Sequence, residues 1–336
     1  MLLLALACTA PEDTGEPLDL MTLGQRGEQA VGYRTEELQT LDALGQERPV
    51  KLAHWYPSSD TSGSDAEYLG FKREDVWLDA AEVEGAPVVL FSHGHQGFLE
   101  ASGFLMVHLA SWGFHVVAME HTGDTTFDDG DRDTEIYYQR MGDVSATLDH
   151  LGVSETVATG HSFGGYTLFA LAGAGFDPAV LACPEDDPRH GLCDTMTEDK
   201  RALFEAGFRD ERVKAIVPMA AGDADLFGAG VAEVEVPVLM MTGDCDHPPG
   251  GFADDLWAGF QGPEDVGLVI ADGGHQSFTN FSGLLDDCEV LIEPEEGWTI
   301  IQGWTLAWVR YHLLDDEAML PVLEGEVVWS EAASLR

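Results

Sequence analysis

The chain has 336 residues, of which 45% are hydrophobic, enough for a buried core and too many for a globally disordered protein. It carries 61 Asp and Glu residues against 16 Lys and Arg, a formal net charge of −45 at pH 7. Such a surface repels nucleic acid and anionic lipid head groups, so neither is an expected partner, and it suits a salt-rich habitat in which ions screen the self-repulsion.

The N-terminus resembles the end of a bacterial lipoprotein signal. Small and apolar residues 1–7 lead to Cys8, although no Lys or Arg precedes that cysteine. The apolar run is too short to span a bilayer. We therefore expect an exported protein, either a lipoprotein anchored at Cys8 to the outer membrane or cell surface, or a periplasmic or secreted protein. Residues 9–44 are interpreted as an acidic tether and lead-in.

Apolar runs that alternate with helical patterns predict an α/β protein. Strands are predicted at residues 50–57, 87–92, 114–119, 155–158, 213–219, 237–241 and 267–270. Helices are predicted near residues 102–112, 133–151, 166–172 and 298–314. This alternation predicts a mostly parallel central sheet with helices on both faces. Residues 176–212 are interpreted as an insertion over the sheet edge, and residues 319–336 as a C-terminal extension.

The cysteines agree with export. Four follow Cys8, and an even number in an exported protein permits two disulfides. Cys183 and Cys193 flank a short polar loop, which favours pairing them and leaves Cys245 with Cys288. No CxxC pair or His/Cys cluster has the spacing of a zinc site, so no structural metal is predicted.

Residues 155–172 contain the most informative motif. Gly160-x-Ser162-x-Gly164 follows a predicted strand and precedes a predicted helix. This context is typical of a nucleophile elbow, a strained turn that projects a serine hydroxyl above the end of a sheet. The flanking glycines let neighbouring backbone pass closely, and the helix N-terminus favours developing negative charge. We therefore predict that Ser162 is a nucleophile.

A serine hydroxyl needs a base that takes its proton and a carboxylate that orients the base. After a nucleophile elbow, the expected chain order is serine, acid, histidine. His275 follows the last predicted strand after a Gly-rich turn and is the predicted base. Asp246 follows the preceding predicted strand and is the predicted acid, with Asp244 as a near rival.

The loop at residues 92–98 follows a predicted strand and contains two glycines. It can direct a backbone N–H at the reacting oxygen, so the backbone amides of His95 and Phe163 are the predicted oxyanion hole. Phe98 and Trp55 are predicted to contact substrate. The remaining histidines of interest are interpreted as structural or loop residues: His93, His121, His161 and His247.

Taken together, these motifs resemble the platelet-activating-factor acetylhydrolase-like branch of the α/β-hydrolases, which is also similar to dienelactone-hydrolase-type esterases and polyester hydrolases. The matching pieces are Trp55-Tyr56-Pro57, Phe91-Ser92-His93-Gly94, Glu120-His121, Gly160–Gly165 and Gly274–Phe278. The resemblance implies an α/β-hydrolase domain over residues 45–318 that hydrolyses short or oxidised acyl esters without a cofactor or metal.

The resemblance does not decide which residue is the acid of the triad. In the eukaryotic acetylhydrolases the acid follows an earlier strand, which here would be Asp223 or Asp225, whereas bacterial relatives place it where Asp246 stands. The predicted function is thus a serine carboxylic-ester hydrolase for small or lipid-like esters. The alternatives are a polyester hydrolase, a thioesterase or peptidase with the same triad, and a catalytically silent, surface-anchored binding protein.

Overall fold

The computed structural model describes residues 18–68, 71–128, 133–184, 191–246, 252–260, 262–284, 286 and 288–336. The predicted anchor at Cys8, the tether up to residue 17 and His247 lie outside the described residues.

One sheet of eleven strands runs through the described part of the chain. The strands are β1 (Ala30–Leu41), β2 (Glu47–Ser58), β3 (Asp65–Tyr68), β4 (Phe71–Leu78), β5 (Val88–Ser92), β6 (His115–Glu120), β7 (Thr156–His161), β8 (Val213–Met219), β9 (Leu239–Gly243), β10 (Val266–Ile270) and β11 (Ala333–Leu335). Their order is β11-β10-β9-β8-β7-β5-β6-β2-β1-β4-β3. The six central strands are parallel to one another: β10, β9, β8, β7, β5 and β6. On either side of them, β11 pairs antiparallel with β10, and β2 pairs antiparallel with β6.

Helices cover both faces of the sheet. They are α1 (Gly103–Ser111), α2 (Thr134–Leu151), α3 (Phe163–Leu171), α4 (Pro178–Leu181), α5 (Glu198–Ala206), α6 (Phe252–Gly259), α7 (Pro294–Leu314) and α8 (Leu320–Leu323). One hydrophobic core lies between the sheet and α1 with α7, and the other between the sheet and α2, α3, α5 and α6. The predicted α/β architecture, with a mostly parallel sheet between two helical layers, is confirmed.

Strand β5 shows why the central strands read as continuous apolar runs. Val89 and Phe91 contribute to the core beneath α1 and α7, while Leu90 contributes to the core beneath α2 and α3. Since both faces of a central parallel strand are buried, successive residues must all be apolar. The ends of these strands, where polar residues are tolerated, are therefore left for chemistry.

Strands at both ends of the chain were not predicted. β1 lies within the segment interpreted as a lead-in, and it pairs with β2 over its whole length. From Arg34 onward its residues alternate only between half-buried and exposed, so the strand has no apolar periodicity to detect. β11 lies in the predicted C-terminal extension and pairs with β10 at the sheet edge.

Both predicted disulfides are present, Cys183–Cys193 and Cys245–Cys288. The predicted insertion at residues 176–212 contains α4 and α5. Within this segment α5 packs against α2, with Phe204 against Tyr138 and Lys200 paired with Glu135. Among the described residues, no helix has both the length and the apolar character needed to cross a membrane.

Candidate active site

Ser162 sits in a sharp turn between β7 and α3. Its backbone angles are φ 55° and ψ −119°, a strained conformation for a residue with a side chain. The turn is held by neighbouring backbone, since Ser162 N donates to Met219 O and Gly222 N donates to Ser162 O, both at 2.9 Å. Gly164 must lack a side chain, because a Cβ there would lie 2.0 Å from Ser92 O. The geometry is that of the predicted elbow.

His275 lies beside this serine. It begins the short 3-10 helix His275–Phe278, which follows β10 after a turn. Its Nε2 is 2.9 Å from Ser162 Oγ, and its Nδ1 is 2.9 Å from Asp246 Oδ1. The three side chains predicted to act together are thus connected by consecutive hydrogen bonds, although they come from three separate loops at the carboxyl ends of parallel strands.

The rival carboxylates have other positions. Asp244 is exposed, and its Oδ1 accepts a hydrogen bond of 2.7 Å from the backbone N–H of Asp272. Asp223 and Asp225 lie after β8, around the 3-10 helix Ala224–Leu226. Because Ser162 and Asp246 occupy the two ring nitrogens of His275, the arrangement leaves no nitrogen for a second orienting acid.

His161, interpreted from sequence as structural, contacts the candidate base directly. Its Nε2 donates a hydrogen bond of 2.8 Å to the backbone oxygen of His275, and the two rings lie 4.8 Å apart. Burial, together with the charge of His275, lowers the pKa of His161 to about 3, so it is neutral at pH 7. His161 therefore positions the backbone of His275 without adding charge.

The predicted oxyanion-hole segments border Ser162. A Cβ on Gly94 would lie 3.1 Å from the Cβ of Ser162, so the loop that carries His95 packs directly against Ser162. Phe163 begins α3 on the other side. Gly222 was not predicted from sequence, yet a Cβ there would lie 3.5 Å from Ser162 Oγ and 3.6 Å from Phe163 N. Its missing side chain keeps the space beside the hydroxyl open.

A buried ion pair beneath this loop was also not predicted. Arg140 of α2 and Asp124, which follows β6, are both inaccessible to solvent and lie 2.6 Å apart. Arg140 also donates to Ser92 Oγ and to the backbone oxygen of His93. A single arginine on the apolar face of a predicted helix was the only sequence signal for this network, which fixes the start of the loop.

Asp124 extends the network to the rest of the loop. Its Oδ1 accepts hydrogen bonds from His95 Nδ1 at 2.5 Å and from Gln96 N at 3.1 Å. Gln96 has a φ of 49°, so Asp124 holds the loop in a turn that is unfavourable for a residue with a Cβ. Although burial alone would raise the pKa of Asp124, the hydrogen bond from His95 and the charge of Arg140 lower it below its usual value.

Six described histidines are buried: His54, His93, His108, His115, His121 and His161. Near the site, His93 Nε2 accepts from His121 N, and His121 contacts Ser92 Oγ and Asp143. Burial lowers the pKa of His93 and His108 to about 3. Over the part of the chain that the structure describes, no cluster of three or more His, Cys, Asp or Glu side chains is arranged to hold a metal ion.

The two residues predicted to contact substrate differ in position. Phe98 is half-buried at the end of the loop, with the ring of Phe281 at 5.5 Å and that of Phe127 at 6.5 Å. The prediction for Trp55 is wrong: its side chain is completely buried on β2 and packs against Tyr33 and Tyr68. The Trp-Tyr-Pro sequence lies on the internal strand β2, where the tryptophan packs in the hydrophobic core and does not line a substrate pocket.

Comparison with known proteins gives a structural relative. No protein-family model matches the chain, and no curated protein sequence is similar to it. A solved structure of a ferulic acid esterase from Streptomyces cinnamoneus is similar, with a TM-score of 0.65 and 18% sequence identity. The match covers 91% of this chain and 96% of the other. At this identity the similarity establishes the fold, and the chain has the α/β-hydrolase fold.

Proposed function

We propose that this protein is a serine carboxylic-ester hydrolase. One observation carries the proposal: consecutive hydrogen bonds run from Ser162 Oγ through both nitrogens of His275 to Asp246. A purely structural role needs no such sequence of contacts at a strained turn, whereas nucleophilic catalysis needs all three groups. This argues against the alternative of a catalytically silent binding protein.

In the proposed mechanism, Ser162 Oγ attacks the ester carbonyl carbon while His275 Nε2 takes the hydroxyl proton. Asp246 accepts the Nδ1–H of His275 and stabilises the imidazolium that forms. The backbone amides of His95 and Phe163 donate to the developing oxyanion, at the N-terminus of α3. His275 then passes its proton to the departing alcohol, leaving an acyl-enzyme. Water, activated by the same histidine, attacks that intermediate and releases the acid.

The proposal also includes a class of substrate, namely short or oxidised acyl esters. The ferulic acid esterase is a structural neighbour and supports ester hydrolysis as the reaction type. The sequence motifs resemble those of acetylhydrolase-like and dienelactone-hydrolase-like esterases, which favours short or oxidised acyl esters. A polyester hydrolase, thioesterase or peptidase would use the same triad, so assays on a polyester, a thioester and a peptide amide beside the p-nitrophenyl esters distinguish these activities.

Export is proposed as well. Two disulfides are consistent with an oxidising compartment outside the cytosol. We retain a lipid anchor at Cys8 and a tether after it as part of this proposal. For the hydrolase domain, first placed at residues 45–318, we now propose a unit that also includes β1 and β11, because both strands pair within its sheet.

The test is active-site labelling followed by kinetics. A fluorophosphonate probe should label the wild-type chain once, at Ser162, and should not label Ser162→Ala. That variant should also lose kcat for p-nitrophenyl esters by on the order of 10⁴, with folding intact. Ser64→Ala, which changes an exposed serine in the β3 region, is the matched control. If purified Ser162→Ala keeps a tenth of wild-type activity, the nucleophile is another residue.

A further inference from the structure

Beside the candidate triad lies a second histidine–carboxylate pair that the mechanism above does not use. His95 Nδ1 is 2.5 Å from Asp124 Oδ1, while Asp124 Oδ2 is 2.6 Å from Arg140. The mechanism draws only on the backbone N–H of His95, so its imidazole has no assigned task. The ring nevertheless has a fixed orientation, because a buried carboxylate, itself held by a buried arginine, binds one of its nitrogens.

The other edge of the imidazole is open. The His95 side chain is 29% exposed, whereas that of Asp124 is 1% exposed. Because Nδ1 faces the buried carboxylate, the exposed edge is the one that carries Nε2. This nitrogen makes no hydrogen bond to any residue that the structure describes. A polar atom of the substrate is therefore free to reach it.

The position of the ring brings this open nitrogen near the reacting centre. Gly94, the preceding residue, packs against the Cβ of Ser162. The imidazole also lies edge-on to the ring of Phe163, the residue after the nucleophile, with centroids 6.4 Å apart. A substrate held at Ser162 by the His95 amide would thus lie within reach of the His95 side chain.

The chemistry of the pair selects the kind of group that Nε2 can bind. An ionised carboxylate only accepts hydrogen bonds, so Nδ1 carries a proton, and in that tautomer of the imidazole Nε2 presents a lone pair as an acceptor. Arg140 balances the charge of Asp124, so the pair has no net negative charge with which to hold a cation. The acidic surface of the chain disfavours anionic substrates. A neutral hydroxyl group is the partner that fits.

We propose that His95 is a specificity-determining residue whose Nε2 accepts a hydrogen bond from a hydroxyl group of the ester substrate. The inference rests on the proposed esterase function and narrows its substrates to hydroxylated esters. The hydroxyl belongs either to the acyl part or to the alcohol part of the ester. Asp124 is the positioning residue, because it sets both the proton on Nδ1 and the direction of the ring.

The test compares esters that differ only by a hydroxyl in place of a methyl group. For the acyl part, the methyl ester of β-hydroxybutyric acid is compared with methyl isovalerate. For the alcohol part, hydroxyethyl butyrate is compared with propyl butyrate. One hydrogen bond should give a preference in kcat/KM of roughly fivefold to tenfold for the hydroxylated member of one pair. His95→Phe, which keeps the backbone N–H but lacks the acceptor, should bring this ratio close to one.

The ratio of kcat/KM between the two members of a pair distinguishes a role of His95 in specificity from a role in holding the loop. A residue that only held the loop would, when changed, slow both members of a pair equally and leave the ratio as in wild type. His95→Asn is a second variant that can still donate to Asp124 but is too short to reach the substrate, so it should also lose the preference. His150→Phe, at an exposed histidine of α2, is the matched control and should keep it.

Two results would overturn the inference alone: wild-type enzyme that hydrolyses both members of each pair equally, or folded His95 variants that keep the wild-type preference. Absence of hydrolysis of all four esters and of every p-nitrophenyl ester, with no labelling of Ser162, would instead overturn the proposed function and this inference with it.

Discussion

Two aspartates at the end of β9 stand two positions apart and have different surroundings. Asp246 faces His275, whereas Asp244 is exposed and accepts from a backbone amide. If Asp246 orients the base, Asp246→Asn lets the imidazole take the wrong tautomer and should lower kcat by about 10⁴, the loss known for the equivalent change in a serine protease. Asp244→Asn should stay within about tenfold of wild type.

Steady-state kinetics on a p-nitrophenyl ester, with circular dichroism as a check of folding, measures this difference. Asp223→Asn and Asp225→Asn complete the series, since the resemblance to eukaryotic acetylhydrolases makes them the competing acids. If Asp223→Asn or Asp225→Asn loses activity while Asp246→Asn stays active, the acid of the triad lies in the loop after β8.

Gly222 lies beside the hydroxyl of Ser162 and is predicted to leave room for the oxyanion. Its backbone accepts an L-residue without strain, but a Cβ would fill the space next to Ser162 Oγ and Phe163 N. Gly222→Ala should therefore fold normally and lose kcat/KM by on the order of tenfold to a hundredfold, since the methyl group crowds the oxyanion. Gly142→Ala, on α2 with open space around it, is the matched control. Equal activity in the two variants would mean that the oxyanion lies elsewhere.

Sequence reasoning found the side chains with a local motif around them and missed those without one. Ser162 and His275 stand in Gly-rich turns after strands, which is a pattern along the chain. Asp124 and Arg140 meet only because α2 crosses behind β6, and no spacing in the sequence encodes that contact. Trp55 was misplaced for a related reason, since the sequence could not tell which face of β2 is buried deepest.

Among the larger elements, the disulfides differ in what they hold. Cys245–Cys288 joins the Asp246 loop to the segment after His275, across 43 residues of chain. Cys183–Cys193 closes 10 residues within the insertion and is attached to none of the loops of the site. The chain-entropy model gives about 4 kcal/mol of stability for the longer loop and about 3 kcal/mol for the shorter.

We predict that replacing either pair by serines lowers the melting temperature, but that only the Cys245/Cys288 variant loses activity. The expected loss in kcat is about tenfold or more, because a carboxylate displaced by about 1 Å orients an imidazole poorly. Thermal melts and kinetics on both double variants make the comparison. If the Cys183/Cys193 variant loses kcat to the same degree, the effect is general destabilisation and the longer bridge has no special part in the site.

For the molecule as a whole, the sequence predicted the parallel centre of the sheet well and the strands on either side of it poorly. Central parallel strands are buried on both faces and therefore carry long apolar runs, as β5 and β8 do. Strands outside the parallel centre, such as β1, β4 and β11, are largely half-buried or exposed, and their pairing depends on the neighbour that they meet. Composition and periodicity contain little information about that neighbour.

The charge of the whole chain predicts a dependence on salt. A net charge of −45 opposes the compact state when it is unscreened, and added ions weaken the repulsion. The melting temperature should rise by at least about 5 °C between low and molar NaCl. Sucrose at matched osmolality is the control, because it stabilises folded proteins without screening charge. A midpoint that is flat or falls with NaCl would show that the acidic surface is not destabilising.

The buried histidines link folding to proton uptake. His93, His108 and His161 have pKa values lowered to about 3 by burial, against about 6.5 in an unfolded chain. Below pH 6.5 these histidines therefore bind protons in the unfolded chain but not in the folded chain. The stability that depends on these residues is complete above pH 6.5 and is lost as the pH falls, by about 1.4 kcal/mol per pH unit for each histidine.

Between about pH 6.5 and 5 most carboxylates stay ionised in both states, so the histidines dominate the proton balance. Urea unfolding across this interval should show a free energy of unfolding that falls steeply with acidity. His108→Leu, on α1 and outside the candidate site, should reduce the slope by about 1.4 kcal/mol per pH unit. An unchanged slope would mean that His108 is protonated in the folded protein. Mild acid thus acts on this molecule as a denaturant whose strength is set by the number of its buried imidazoles.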